Sequence, residues 1–122
     1  MINLKFRGKC IKTGNWVYGG GIDSQRDTPI IINHGERYHV DAESVGQYIG
    51  MKNGDGIEIY QGDILVDDDS DIANRLLVVV SYDETQAKFI ALDENGRNQG
   101  DMDEWDSCLI VGNTTDNKGM VS

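Results

Sequence analysis

The chain has 122 residues and a mass of 13.5 kDa, room for one domain or two very small ones and too little for a large multidomain enzyme. Fifteen glycines against one proline indicate many tight turns rather than a proline-rich disordered chain. Twenty-one acidic against eleven basic residues leave a net charge of −10 and a pI near 4.4, which argues against coating nucleic acid or an anionic membrane by bulk electrostatics.

In chain order, Leu4-Lys5-Phe6-Arg7-Gly8 alternates apolar and polar as a half-buried strand does, and Thr13-Gly14-Asn15 turns it into a returning strand, Trp16-Val17-Tyr18. Gly19-Gly20-Gly21 breaks the pattern. Pro29-Ile30-Ile31-Ile32-Asn33 is a β-branched run, and an Asn-His-Gly turn after it predicts a hairpin with Arg37-Tyr38-His39-Val40. Residues 41–50 place Val45, Tyr48 and Ile49 at helical spacing, but two glycines dilute a helix, so a short helical turn leading to a strand is expected. Asn53-Gly54-Asp55-Gly56 is the strongest turn signal, read as two glycines supplying positive φ in quick succession. Ile57 and Ile59 are expected on one face of the next strand, with Glu58 and Tyr60 on the other.

Gly62-Asp63 then redirects the chain into Ile64-Leu65-Val66, with Asp63 placed to bond backbone amides of the bend. Asp67 to Asp71 reads as a solvated acidic loop, and Leu76 to Val80 as a strand buried on both faces. Lys88 to Leu92 is the next strand, followed by the Asp93-Glu94-Asn95-Gly96 turn and an acidic loop to about Glu104. Trp105 opens the last region, Cys108 to Gly112 is its strand, and Thr114 to Ser122 is expected to fray for want of apolar residues.

The fold class is therefore mainly β, a β-rich α+β chain. A complex β N-terminal part (1–52) precedes a small SH3-like barrel (53–115) and a frayed tail (116–122), unless the sheet is continuous throughout. Charge divides with it. Residues 1–52 carry seven Lys or Arg and five Asp or Glu, net +2, whereas residues 53–122 carry four and sixteen, net −12. The basic part is expected to meet the acidic part either within the chain or between neighbouring copies, and a head-to-tail contact between copies would build a ring.

Cys10 and Cys108 are too few for a secreted disulfide scaffold and read as reduced cytoplasmic thiols, the alternative being a single bridge between them, which depends on a Cα separation that sequence does not give. No apolar run reaches the roughly 18 residues of a transmembrane helix, and no signal core is evident. Calcium loops started at Asp67 or at Asp93 fail at the glycine position and at a ligand position. Asp67, Asp69 and Asp71, beside Asp68, remain weak metal candidates only because clustered carboxylates attract divalent ions. His34 and His39 lack zinc spacing, and Gly19-Gly20-Gly21 lacks the Gly-Lys-Ser/Thr and the helix of a phosphate loop. No catalytic constellation and no cofactor motif stand out, so no enzyme and no cofactor are expected. Lys5, Arg7 and Lys9 alternate beside Phe6 and Trp16 and share one strand face, read as a solvated outer face rather than as a nucleic-acid stripe.

The central block, Val45-Gly46-Gln47-Tyr48-Ile49-Gly50-Met51-Lys52, Asn53-Gly54-Asp55-Gly56 and Ile57-Glu58-Ile59-Tyr60-Gln61-Gly62-Asp63-Ile64-Leu65, resembles the signature of the YopX-like family of bacteriophage and prophage proteins. That signature reads roughly "QYTGLKDKNGKEIYEGDIV". Phe6-Arg7-Gly8 and Trp16-Val17-Tyr18-Gly19 resemble the family's opening, and Ile110-Val111-Gly112-Asn113 its closing "VIGN". The acidic 67–71 loop and the polar Thr114-Thr115-Asp116-Asn117 depart from it. The resemblance implies a complex β-rich part, an SH3-like barrel, and homo-oligomers, hexamers among them. It implies no activity and transfers no catalytic residue.

These observations lead to the expectation of a phage or prophage accessory protein in the bacterial cytoplasm, non-enzymatic, acting as a homo-oligomeric binding or scaffolding module. An alternative is an acidic inhibitor that mimics nucleic acid and occupies a host nucleic-acid-binding protein. A second is a metal-dependent enzyme using the Asp67–Asp71 carboxylates. The residues singled out are Gly54, Gly56, Gly62 and Asp63 as fold-defining turns, and Lys5, Arg7, Lys9, Asp67, Asp68 and Asp69 as an interaction surface. Membrane and direct nucleic-acid binding are not expected.

Overall fold

The computed structural model describes residues 4–25, 27–67, 76–105 and 107–118. The chain divides into two compact units, Met1–Tyr48 and Ile49–Ser122. The described residues are mostly strand, paired antiparallel throughout, with short 3-10 turns and no long helix.

In the first unit, β1 (Phe6–Lys9) pairs with β2 (Trp16–Gly19) in the register Arg7 to Tyr18 and Lys9 to Trp16. The Gly19–Gly21 run carries the chain from β2 into β3 (Gly21–Asp23), the edge of a second sheet ordered β3-β4-β5. β4 (Ile30–Asn33) and β5 (Glu36–His39) form the expected hairpin. Its central residues, His34 and Gly35, both have positive φ, the twist a two-residue hairpin needs. The two sheets pack through glycine. A Cβ on Gly8 would sit 2.9 Å from Val40, and one on Gly19 would sit 2.2 Å from the carbonyl oxygen of Ile32. With no side chain at those points, Ile30, Ile31 and Val40 close over the strands and are buried.

Residues 41–50 resolve as a 3-10 turn, Ala42–Ser44, capped by the Asp41 carboxylate on the amide of Glu43, and then β6 (Gly46–Lys52). The first residues of β6 pair with β1, Phe6 to Gln47 and Arg7 to Gly46. The boundary between the units falls inside β6, ahead of the Asn53 turn at which the sequence pattern divides.

In the second unit, β6 turns at Asn53 into β7 (Glu58–Tyr60). Then follow β8 (Asp63–Asp67), β9 (Val78–Asp83), β10 (Lys88–Asp93), β11 (Asn98–Asp101), a 3-10 turn over Met102–Trp105, and β12 (Cys108–Asn113). The sheet order β11-β10-β9-β8-β12, with the last strand returning to pair with the first, is the order expected of an SH3-like barrel. Its core is Ile59, Leu65, Val78, Val80, Ala91 and Met102, against which Phe89 and Trp105 pack.

Three readings are corrected here. The stretch expected as an acidic loop to Glu104 contains β11 and a 3-10 turn. Polar Asn98 and Asp101 are drawn into the sheet by pairing with Leu92 and Ile90, and the Trp105 indole donates to the Gln99 carbonyl on this edge strand. Ile57 is not buried with Ile59 and lies outside β7, although Glu58 and Tyr60 are joined on one side of the strand as expected, the Tyr60 hydroxyl donating to the Glu58 carboxylate. Ile57 is 53% exposed at the close of the turn, while both Ile59 and Tyr60 are buried. Residues 114–118 do not fray. The Asn113 side chain accepts the amides of Thr115 and Asp116, and Thr114 donates to the Gly62 carbonyl, so polar bonds do what apolar burial could not.

Candidate functional site

The basic residues of β1 do share one face, but it is not a solvated one. Pairing register sets Tyr18 beside Arg7 and Trp16 beside Lys9, and the amide of Tyr48 donates to the carbonyl of Lys5. The Arg7 guanidinium lies 4.9 Å from the centre of the Trp16 ring, the Lys9 ammonium 5.8 Å from the same ring, and the Lys5 ammonium 5.8 Å from the Tyr48 ring. Cation–π contacts of this kind contribute about 0.5–2 kcal/mol each, more when water is excluded. Arg7 is only 8% exposed, so its charge belongs to the packed structure. Ser44 helps hold the strand in place. Its hydroxyl accepts the Lys9 amide and donates to the Asp41 carbonyl.

At the end of this face a groove of about 570 Å3 runs along the Gly19–Gly21 backbone. Leu4, Tyr18, Ile32, Asn33 and His34 line it. Leu4 is 52% and Tyr18 44% exposed. The groove offers apolar walls, a backbone floor, the Tyr18 phenol and two basic side chains, Lys5 and His34, with no carboxylate among its lining residues. A second groove, about 460 Å3, is bordered by Cys10, Ile11, Thr28 and the carboxylates of Asp27 and Asp41. The Cys10 thiol beside it is held below its ordinary value, chiefly by the Thr13 hydroxyl and then by backbone amides of Thr13 and Lys12, against the opposing effect of burial.

The expected turns are more uneven in their chemistry than their glycines suggest. Gly56 has φ +80°, and Gly62 φ +95°, but Gly54 has no positive φ, so a single left-handed residue makes the first turn. Asn53 does the remaining work. It is buried, and its side-chain oxygen accepts the amides of Asp55 and Ile57, each at 3.0 Å. Asp63 behaves as expected, its buried carboxylate accepting the Tyr60 amide at 2.8 Å. A second Asx turn is built on Asp93, whose carboxyl is held below the usual carboxylate range by the amides of Arg97 and Asn95 and by Gln99.

Of the acidic candidates, Asp67 ends β8, paired with Cys108 on β12. Asp68, Asp69 and Asp71 lie outside the described residues. His34 sits in the hairpin turn and His39 at the end of β5. Among the described residues no group of three or more His, Cys, Asp or Glu side chains is placed to hold a metal ion. Cys10 and Cys108 are buried thiols. Also among the described residues, no helix is long and apolar enough to cross a membrane. Tyr18, Tyr48 and Ser44, which shape the basic face, were missed in the sequence. The period-2 spacing of the two tyrosines relative to their strands was the signal that could have found them.

The family described as YopX protein matches residues 5–121. The chain belongs to the YopX family. The crystal structure of protein EF1440 from Enterococcus faecalis is similar to it over 100% of both chains, with a TM-score of 0.60 and 18% sequence identity, a likeness that shows a shared fold. No curated protein matches the chain. Within a YopX chain, the resemblance of the 45–65 block is now understood physically. Asn53, Gly56, Gly62 and Asp63 build the two bends that bracket β7.

Proposed function

We infer that this YopX-family chain is a non-enzymatic phage or prophage accessory protein that works by binding, as a symmetric homo-oligomer, in the cytoplasm of the bacterial host. The phage setting and the oligomer are what the family resemblance implies. The observation that supports the binding mode is the division of charge between the two compact units. Residues 1–48 hold six basic and five acidic residues, net +1, and residues 49–122 hold five and sixteen, net −11. Opposite potentials on two units of one chain favour heterologous contacts between copies, and closing such contacts makes a ring.

The test is solution mass by size-exclusion chromatography with light scattering at low and high salt. A stable multimer at low salt that loosens as salt rises is the expected result, because exposed charge pairs are screened. A monomer at micromolar concentration in low salt overturns the oligomer. That outcome leaves the acidic surplus as a surface for a foreign basic partner, the behaviour of a nucleic-acid mimic.

A further inference from the structure

The sequence contains two Asn-Gly steps, Asn53-Gly54 and Asn95-Gly96. Both stand in turns of the second unit, and the two asparagines are held quite differently. Asn-Gly is the dipeptide in which the backbone nitrogen after asparagine can most readily attack the side-chain carbonyl carbon, because glycine has no Cβ to obstruct the approach. At Asn53 the residue is 6% exposed, and its side-chain oxygen accepts two backbone amides, from Asp55 and Ile57. Turning that carboxamide onto the Gly54 nitrogen requires both bonds to break in a buried place. At Asn95 the residue is exposed. Its own amide donates to Asp93, and no comparable bonds among the described residues hold its carboxamide. The opposing factor there is one hydrogen bond, from the Gly96 amide to the Asp93 carbonyl at 2.9 Å, which must open first.

We propose that Asn95 is a site of spontaneous deamidation and that the fold protects Asn53 from the same reaction. The Gly96 nitrogen, having lost its proton to solvent, attacks the Asn95 side-chain carbonyl carbon. The bond to the side-chain nitrogen breaks, ammonia leaves, and a five-membered succinimide forms. Water then opens the ring at either carbonyl to give aspartate or isoaspartate, with no change of oxidation state. The product adds a negative charge to the unit that already carries net −11. Isoaspartate also lengthens the backbone by one carbon inside the β10–β11 hairpin. That hairpin is closed by the Asp93 amide on the Arg97 carbonyl and the Arg97 amide on the Asp93 carboxylate.

The experiment is ageing of the whole protein in mildly alkaline buffer, folded and in denaturant. Peptide mapping by mass spectrometry then reads the amide-to-acid conversion, and isoaspartyl methyltransferase labelling reads isoaspartate. Folded protein should convert Asn95 about tenfold faster than Asn53, the factor expected when one additional buried hydrogen bond must be broken. In denaturant the Asn53 rate should rise toward that of Asn95. Equal rates in the folded protein, or an Asn53 rate that denaturant leaves unchanged, would overturn the proposal. An Asn95→Gln variant should cease to accumulate the acidic species on ion exchange, since a six-membered ring closes far more slowly. Accumulation at the original rate would also overturn it.

Discussion

In residues 1–48 the strands β1 to β5 are three or four residues long and belong to small sheets, whereas in residues 49–122 most strands of the barrel have five or six residues and share one sheet. A strand of four residues can bury two side chains at most on one face. The first unit therefore gains close packing by removing side chains, at Gly8 and Gly19, so that Ile31 and Val40 meet the backbone. The second unit fills a conventional aliphatic core and reserves polar chemistry for its bends, at Asn53, Asp63, Asp93 and Asn113. One unit is thus sensitive to added volume, and the other to lost hydrogen bonds.

Substitution at Gly19 is the strongest way to break that contrast. A methyl group there meets a backbone carbonyl that cannot rotate away, so Gly19→Ala should cost about 3 kcal/mol, the upper end of overpacking penalties. Gly20→Ala, whose Cβ would lie 3.5 Å from the Leu4 carbonyl oxygen, should be nearly neutral. Denaturant midpoints of the two variants provide the comparison, and equal losses would show that the close approach of Gly19 does not govern the first unit.

In the second unit, Asp63→Ala creates space but strips the buried Tyr60 amide of its acceptor. A loss of about 2 kcal/mol is expected for a buried donor left unsatisfied. Amide exchange of β7 and β8 should report it, and a stability within experimental error of the parent would place the bend's strength elsewhere.

The smallest effect concerns pH at Asp93. Its folded carboxyl titrates below the ordinary value. The stabilisation it gives is therefore complete above the unfolded value, near about pH 4, and is lost as pH falls through the folded one. Protection of the Arg97 and Asn95 amides should fall in acid, and Asp93→Asn should remove that acid dependence. The exposed Lys88–Asp101 pair, 2.7 Å apart on the neighbouring strands, contributes little at any neutral pH because solvent screens it.

What could be read in the sequence follows the same divide. The hairpin of β4 and β5 was legible because a β-branched run, an Asn-His-Gly turn and an alternating partner agree locally. The positions of β8, β9, β10 and β12 were legible from spaced apolar runs, but their order in the sheet was not. β11 was not, because Asn98-Gln99-Gly100-Asp101 carries no apolar alternation and is a strand only through its pairing with β10. The burial of Arg7 was also hidden. Alternating Lys, Arg and Lys looks like a wet face until Trp16 and Tyr18 of the next strand are set beside it. At the central turn, glycine content pointed to Gly54 and Gly56 together, but the hydrogen bonds that the Asn53 side chain accepts make one left-handed residue sufficient.

The two tryptophans of the chain are distributed one to each unit. Trp16 lies under the Arg7 and Lys9 cations, and Trp105 packs on the barrel core with its indole nitrogen bonded to Gln99. Each half of the molecule consequently contains its own fluorophore, in an environment unlike the other's. A chain with Trp16→Phe emits from the barrel alone, and one with Trp105→Phe emits from the N-terminal sheets alone. Two such variants would turn ordinary fluorescence melting into separate unfolding curves for the two parts of a single polypeptide.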